Sequence, residues 1–166
     1  VEGDPHAGIP VVAVDQVEGA KRATAHLLGL GHGTVWHVAG PPDWLEARGR
    51  IAGWEAALKA AGADVPPPVR GDWSARSGYE AGGMLARMPE VTAVFVANDQ
   101  MALGLLRAFR ERRRDVPADV SVVGFDDIPE AAYFAPPLTT VRQDFGLVGR
   151  NGLRLMVDQI NSGTLS

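Results

Sequence analysis

The sequence has no cysteine. That excludes a disulfide framework and any thiolate metal site, and it suits the cytoplasm without ruling out export. Long apolar runs are missing too: nothing approaches the roughly 20 residues of a membrane-crossing helix. No basic-then-apolar leader opens the chain, and Val1-Glu2-Gly3-Asp4-Pro5 reads as a loop cut from something longer. Positive charge is not in excess either. A formal net charge of −4 argues against this segment itself gripping phosphate backbones. Arg107, Arg110 and Arg112 to Arg114 fall in the last turns of a predicted helix, where cations suit the macrodipole, so they read as solvated surface.

Catalytic signatures are equally scarce. His6, His26, His32 and His37 show no i, i+4 pairing on a helix and outline no metal site. Gly29-Leu30-Gly31-His32-Gly33 is glycine-rich, yet it precedes a strand instead of joining strand to helix, so it is no dinucleotide fingerprint. Neither a G-x-S-x-G elbow nor a Walker lysine loop occurs. No nucleophile can be paired with a base. The expectation is a binding protein that needs no cofactor, not an enzyme.

What is present is a repeated alternation of strand and helix. The 166 residues suffice for one substantial core. The organising stretch is Val91 to Leu106. Val94-Phe95-Val96 is continuously apolar, Asn98-Asp99 is polar, and Ala102, Leu105, Leu106 and Phe109 then recur at helical spacing. A short run apolar at every position suits a strand buried on both faces. Asn98 or Asp99 caps the helix that follows. Val120 to Asp127 repeats the pattern, an apolar run closed by Asp126-Asp127.

Taken in order, Ile9 to Val14 is a short strand, and Val17 to Leu30 a helix with Ala23, Leu27 and Leu30 on one face and Gly31 as its stop. A strand at Thr34 to Ala39 ends in the Gly40-Pro41-Pro42 turn. Asp43 caps a helix to Ala61, with Ala47, Ile51, Trp54, Leu58 and Ala61 as its inward stripe. Val69 to Asp72 is a short strand. Ser74 or Ser77 starts a helix carrying Tyr79, Met84, Leu85 and Met88. After the two strands of the organising pattern, Thr139 to Val141 is extended, and a last helix spans about Leu147 to Ile160. This order predicts an α/β fold: an open, mostly parallel, doubly wound sheet with helices on both faces.

A parallel sheet gathers whatever follows each strand on one edge, where ligands of open α/β sheets bind. Here that is Asp15, Pro41 to Trp44, Asp72-Trp73, Asn98-Asp99 and Asp126-Asp127, with Arg48 and Arg50 near the start of the Asp43 helix. Aromatic faces with Asp, Asn and Arg suit a polyhydroxylated ring. Indole covers C–H faces, while carboxylate and guanidinium take hydroxyls in charge-assisted hydrogen bonds. Each residue also has a plainer reading. An Asp after a strand serves equally as a turn residue, and a tryptophan as a packed aromatic.

Several motifs together resemble the lac repressor family. They are Ala25 to His32 (AHLLGLGH), Arg50 to Trp54 (RIAGW), Gly71 to Ser74 (GDWS), Val96 to Gly104 (VANDQMALG), Asp119 to Asp127 (DVSVVGFDD) and Pro136 to Gln143 (PPLTTVRQ). They run in the family's order across nearly the whole chain. The resemblance implies a cytoplasmic transcription regulator, usually a homodimer or tetramer. Such a protein has a helix-turn-helix headpiece and a two-lobed effector domain like periplasmic sugar-binding proteins. It places Arg50, Trp73, Asn98, Asp126 and Gln143 on effector-contacting positions, with Phe145 beside them. It also makes residues 15–142 the core of the second lobe. Residues 1–14 and 143–166 become crossover elements of the first lobe, which is otherwise missing together with the headpiece. Trp44 and Glu46 stand where the family often carries small polar residues that tune effector choice. The implied function is to sense a small-molecule effector, in chemical terms a sugar, and to couple it to operator DNA through the absent headpiece. The alternative is the lobe of an exported sugar-binding protein for transport.

Assembly is the remaining expectation. Leu103 points about a quarter-turn from the sheet-facing stripe of its helix, and Tyr133-Phe134 follows the next strand. Either these residues form one exposed apolar patch or the Pro136-Pro137 loop folds over them. Family members dimerise through the corresponding helix and loop, so the resemblance implies a two-fold contact containing Leu103, Tyr133 and Phe134.

Overall fold

The computed structural model describes residues 15–143, of which Gln16–Arg142 form one unit while Asp15 and Gln143 belong to another. The elements of the larger unit are α1 (Gln16–Gly29), β1 (Trp36–Ala39), α2 (Leu45–Ala60), β2 (Val69–Arg70), α3 (Ala75–Leu85), β3 (Ala93–Val96), α4 (Asp99–Glu111), β4 (Ser121–Asp126), a 3-10 turn (Pro129–Tyr133) and β5 (Thr139–Arg142). The strands pair in parallel in the order β2-β1-β3-β4-β5. The expected strand Ile9 to Val14, the expected last helix and Phe145 lie outside the described residues.

Side chains alternate across a strand, so one apolar run serves two cores. Val94 and Val96 pack with Met101, Leu105 and Phe109 of α4 and with Leu85 of α3. Ala93 and Phe95 pack on the other face with Leu27 of α1 and with Trp54 and Leu58 of α2. That is why β3 is buried at every position. Gly31 and Gly62, at φ +105° and +68°, supply the left-handed residues that end α1 and α2. Ser74 and Asn98 cap α3 and α4, accepting from the backbone N–H of Ser77 and Met101.

Several of these expectations need correction. Asp43 does not cap α2: the N–H of Trp44 donates to Pro41 O, which carries the turn further and makes Trp44 the N-cap without a side-chain bond. The buried stripe of α2 is Ala47, Arg50, Gly53, Trp54 and Leu58, whereas Ile51 is half-buried and Ala61 exposed. The cause is Gly53, whose missing side chain lets α2 lie directly on the Val17 carbonyl of α1 and so fixes its rotation. On α3, Tyr79 and Met84 face outward, and Leu30 lies exposed beyond the end of α1. Gly78, Ala81 and Gly82 take the buried side of α3, because only small residues fit the close approach to α4.

His37 in β1 gives the fold a pH dependence. Its ring stacks on Phe95 at 4.7 Å, and Nδ1 bonds Phe95 O at 2.8 Å, which fixes Nδ1 as the protonated nitrogen. Nε2 is buried without a partner. Burial, reinforced by the nearby Arg70 and Arg50 charges, lowers the pKa from 6.5 to about 4. Below pH 6.5 the unfolded chain takes up a proton that the folded chain refuses until about pH 4. Stability is therefore expected to fall across that window as pH drops, by about 3 kcal/mol in full. Denaturant titrations at successive pH values test this against His37→Phe. An equal slope in the variant would assign the acid sensitivity elsewhere.

Candidate functional site

Arg50 is the centre of the cluster at the carboxyl edge of the sheet. It comes from the buried face of α2, three residues after Ala47 and four before Trp54, and is 4% exposed. Its guanidinium lies 4.1 Å from the Phe125 ring centroid and 5.3 Å from that of Trp73. Nε donates to Gln16 Oε1 at 2.8 Å and Nη1 to Ala97 O at 2.7 Å. Nη2 is 3.5 Å from the carboxylate of Asp126, whose side chain stays 26% open. A buried cation needs such compensation, and the flat guanidinium permits it: rings take its faces while acceptors take its edge.

Trp73 follows β2 with φ +76°, a left-handed conformation unfavourable for an indole-bearing residue. Its neighbours hold it there. Asn98 Nδ2 donates to Trp73 O at 3.0 Å while Oδ1 caps α4, so one amide ties the end of β3 to the end of β2. Gly40 after β1 is required, because a side chain there would overlap the indole. Asp126 and Asp127 also have positive φ, +116° and +52°. Strained non-glycine residues at three positions along one sheet edge are a pointer to function, since such conformations persist only where surroundings over-determine them. Trp44 completes the group, its ring 5.9 Å from Trp73 and nearly perpendicular at 76°. Glu46 stands half-buried in the first turn of α2.

The structure thus brings Arg50, Trp73, Asn98, Asp126 and Trp44 together. Other strand-end polar groups are used locally. Asp72 accepts from the backbone and hydroxyl of Ser74, which holds its carboxyl below the usual range. Asp99 is buried and clamps the segment after β4, accepting from Ile128 N–H at 3.0 Å and Thr140 Oγ1 at 2.7 Å. Burial nevertheless pushes its carboxyl above the ordinary value. Asp127 pairs with Arg142. Arg48 is used locally too: its Nε donates to Pro42 O and secures the turn before α2. Gln143 belongs to the other unit.

Sequence reasoning missed Gln16, Phe125 and Gly40, all of which position Arg50 or Trp73. Gln16 and Gly40 carried no distinguishing signal, and Phe125 reads simply as strand core. Leu103 of α4 is 46% exposed, and Tyr133 at the end of the 3-10 turn is 88% exposed. Phe134 is not exposed with them. Its ring is buried in the core against the α4 side of the sheet, because the 3-10 turn swings it inward.

An open parallel sheet of this order with its polar and aromatic cluster at the strand ends defines the periplasmic-binding-protein-like class of α/β lobe. The model of the family described as periplasmic binding protein-like domain matches residues 24–165. The lactose operon repressor of Klebsiella pneumoniae is 40% identical over 154 residues, 92% of this chain and 44% of the repressor. The transcriptional regulator CelR of Thermobifida fusca is 39% identical over 98% of this chain and 48% of its own length. A solved CelR–cellobiose complex superposes with a TM-score of 0.86 at 39% identity, over 98% of this chain and 50% of that one. The lac repressor dimer bound to operator and the anti-inducer ONPF gives 0.81 at 39% identity, over 90% and 52%. The chain belongs to the periplasmic binding protein-like domain family, in its lac repressor branch. It spans about half the length of the curated relatives it matches, which are named as transcriptional repressors and regulators, not enzymes. No described helix is long and apolar enough to cross a membrane.

Proposed function

We propose that this chain is the effector-sensing lobe of a cytoplasmic, sugar-responsive transcriptional regulator. The convergence of Arg50, Trp73, Asn98 and Asp126 at one sheet edge carries this reading, in a chain whose relatives include a regulator solved with cellobiose. Asp126 takes sugar hydroxyls, Arg50 fixes its carboxylate, and Asn98 sets the backbone that presents Trp73. Trp44 and Glu46 tune the choice of sugar. The lobe performs no catalysis and needs no cofactor. Operator DNA is gripped by a headpiece outside these 166 residues. Effector binding favours one arrangement of lobes and shifts operator affinity by its differential affinity for the two states. Calorimetry on the full-length regulator tests the site. Asp126→Ala is expected to weaken sugar binding by about 1.5–3 kcal/mol, the worth of a hydrogen bond to a charged group. Unchanged affinity with intact folding refutes the role.

The regulator works as a homodimer, as the repressor relative does in its operator complex. Leu103 shares a groove with Leu106, Arg107, Arg110 and Ala135, and Tyr133 stands exposed on the segment after β4. The two-fold contact is built on Leu103 and Tyr133, with Phe134 supporting the segment from inside. In sedimentation of the full-length protein, Leu103→Asp with Tyr133→Asp is expected to weaken the dimer at least about tenfold, as loss of an interface anchor does. An unchanged dimer places the interface elsewhere.

A further inference from the structure

Trp73 is half-buried. Arg50 lies over its ring, the six-membered edge abuts Gly40, and its indole N–H is buried without a partner. It carries the guanidinium and connects the polar pair with its other aromatic neighbour. That neighbour, Trp44, is 53% exposed. Because the two rings are nearly perpendicular, one meets the other edge-on, and whichever gives the edge, Trp44 keeps most of its surface open. Leu45 beside it is 48% exposed, so the start of α2 presents adjoining apolar groups next to the polar cluster. The indole is also held on a stiff support. Pro41 and Pro42 fix the turn, which is closed by Trp44 N–H on Pro41 O and by Arg48 Nε on Pro42 O at 2.8 Å. An exposed aromatic pre-set at the rim of a sugar-type cluster costs little further ordering when a ring stacks on it. The Trp44 ring is 5.9 Å from that of Trp73, which in turn lies 5.3 Å from the Arg50 guanidinium, so Trp44 adjoins the Arg50–Asp126 pair through the indole of Trp73.

We propose that Trp44 sets the size of the ligand. It stacks the C–H face of a second sugar ring beyond the one held at Asp126, so that the site selects a disaccharide over a monosaccharide. This rests on the effector-site reading above. Calorimetry on the full-length regulator with cellobiose, lactose and maltose, and with glucose and galactose, tests it in wild type, Trp44→Ala, Trp44→Phe and Asp126→Ala. At least one disaccharide is expected to bind more tightly than its component sugars. Trp44→Ala should weaken that disaccharide about tenfold while leaving the monosaccharide within about twofold, and Trp44→Phe should restore most of the difference. Trp44 makes no side-chain capping bond, so thermal unfolding should be unchanged by its replacement. If Trp44→Ala weakens both classes equally, or wild type prefers monosaccharides, the size role is overturned while the site stands. If Asp126→Ala binds every sugar like wild type, or no sugar binds wild type, the effector-site reading fails and takes this role with it.

Discussion

Arg50→Met is expected to lower the unfolding free energy by about 3 kcal/mol and to abolish effector binding. The methionine fills part of the slot between Phe125 and Trp73, so the loss is not mainly a cavity. It arises because the buried Ala97 carbonyl loses its charged donor, at about 1–3 kcal/mol for a buried group left unsatisfied, and Gln16 Oε1 loses the same guanidinium. Asp126 loses its cation too, but its carboxylate is 26% open and rehydrates, so that term is smaller. Arg50→Lys is not a conservative rescue. One ammonium cannot lie flat between two rings and also serve acceptors spread along a guanidinium edge. Urea denaturation measures the stability loss, and calorimetry with the sugar panel measures binding. A change below about 0.5 kcal/mol, the range of ordinary surface substitutions, would show that Arg50 does not organise this edge.

Gly104→Ala should be nearly as damaging, through packing alone. A methyl group at Gly104 of α4 would overlap the Ala75 carbonyl oxygen of α3, and one at Gly78 of α3 would overlap the Met101 carbonyl of α4. Both obstacles are backbone, so no rotamer change relieves them and the helices must move apart. Overpacking in a rigid core costs about 1–3 kcal/mol, and two-backbone contact belongs at the upper end. The consequence reaches the site, because α3 begins just after Trp73 and α4 is capped by Asn98. Gly83→Ala is the control. It lies inside α3 with nothing within 4 Å of the added carbon, so it should stabilise by about 0.5–1 kcal/mol through helix propensity. Opposite signs for Gly104→Ala and Gly83→Ala in urea denaturation are the expected outcome. Equal small effects would show that α3 and α4 do not interlock through these glycines.

The strand-and-helix order was legible because its signals are local. Val94-Phe95-Val96, the caps at Ser74 and Asn98, and the stops at Gly31 and Gly62 each act within a few residues. The parallel sheet follows from their alternation, and the gathering of Arg50, Trp73, Asn98 and Asp126 follows from the sheet. Burial was less legible where two helices meet. Periodicity put Ile51 and Ala61 inward on α2, but Gly53 against the Val17 carbonyl turns the helix and buries Arg50 instead. Phe134 looked available for assembly because nothing near it in sequence says that a 3-10 turn points its ring into the core.

By itself, then, the sequence determined the class of fold, the family, and which chemical groups stand at the strand ends, since these depend on spacing and on motifs read along the chain. Tertiary structure decided which of those groups act together. Asp72, Asp99, Asp126 and Asp127 are alike as carboxylates after strands, yet three are held by Ser74, Thr140 and Arg142, and Asp126 alone of the four pairs with Arg50. Tertiary structure also decided that Trp73 is half-buried against Arg50 while Trp44 stays open. The physical reason is that hydrogen bonds and ring contacts form between residues distant in sequence, as Asn98 does with Trp73 O and Phe125 with the Arg50 guanidinium. Such contacts depend on helix rotation and on strand register, which no short stretch of sequence encodes.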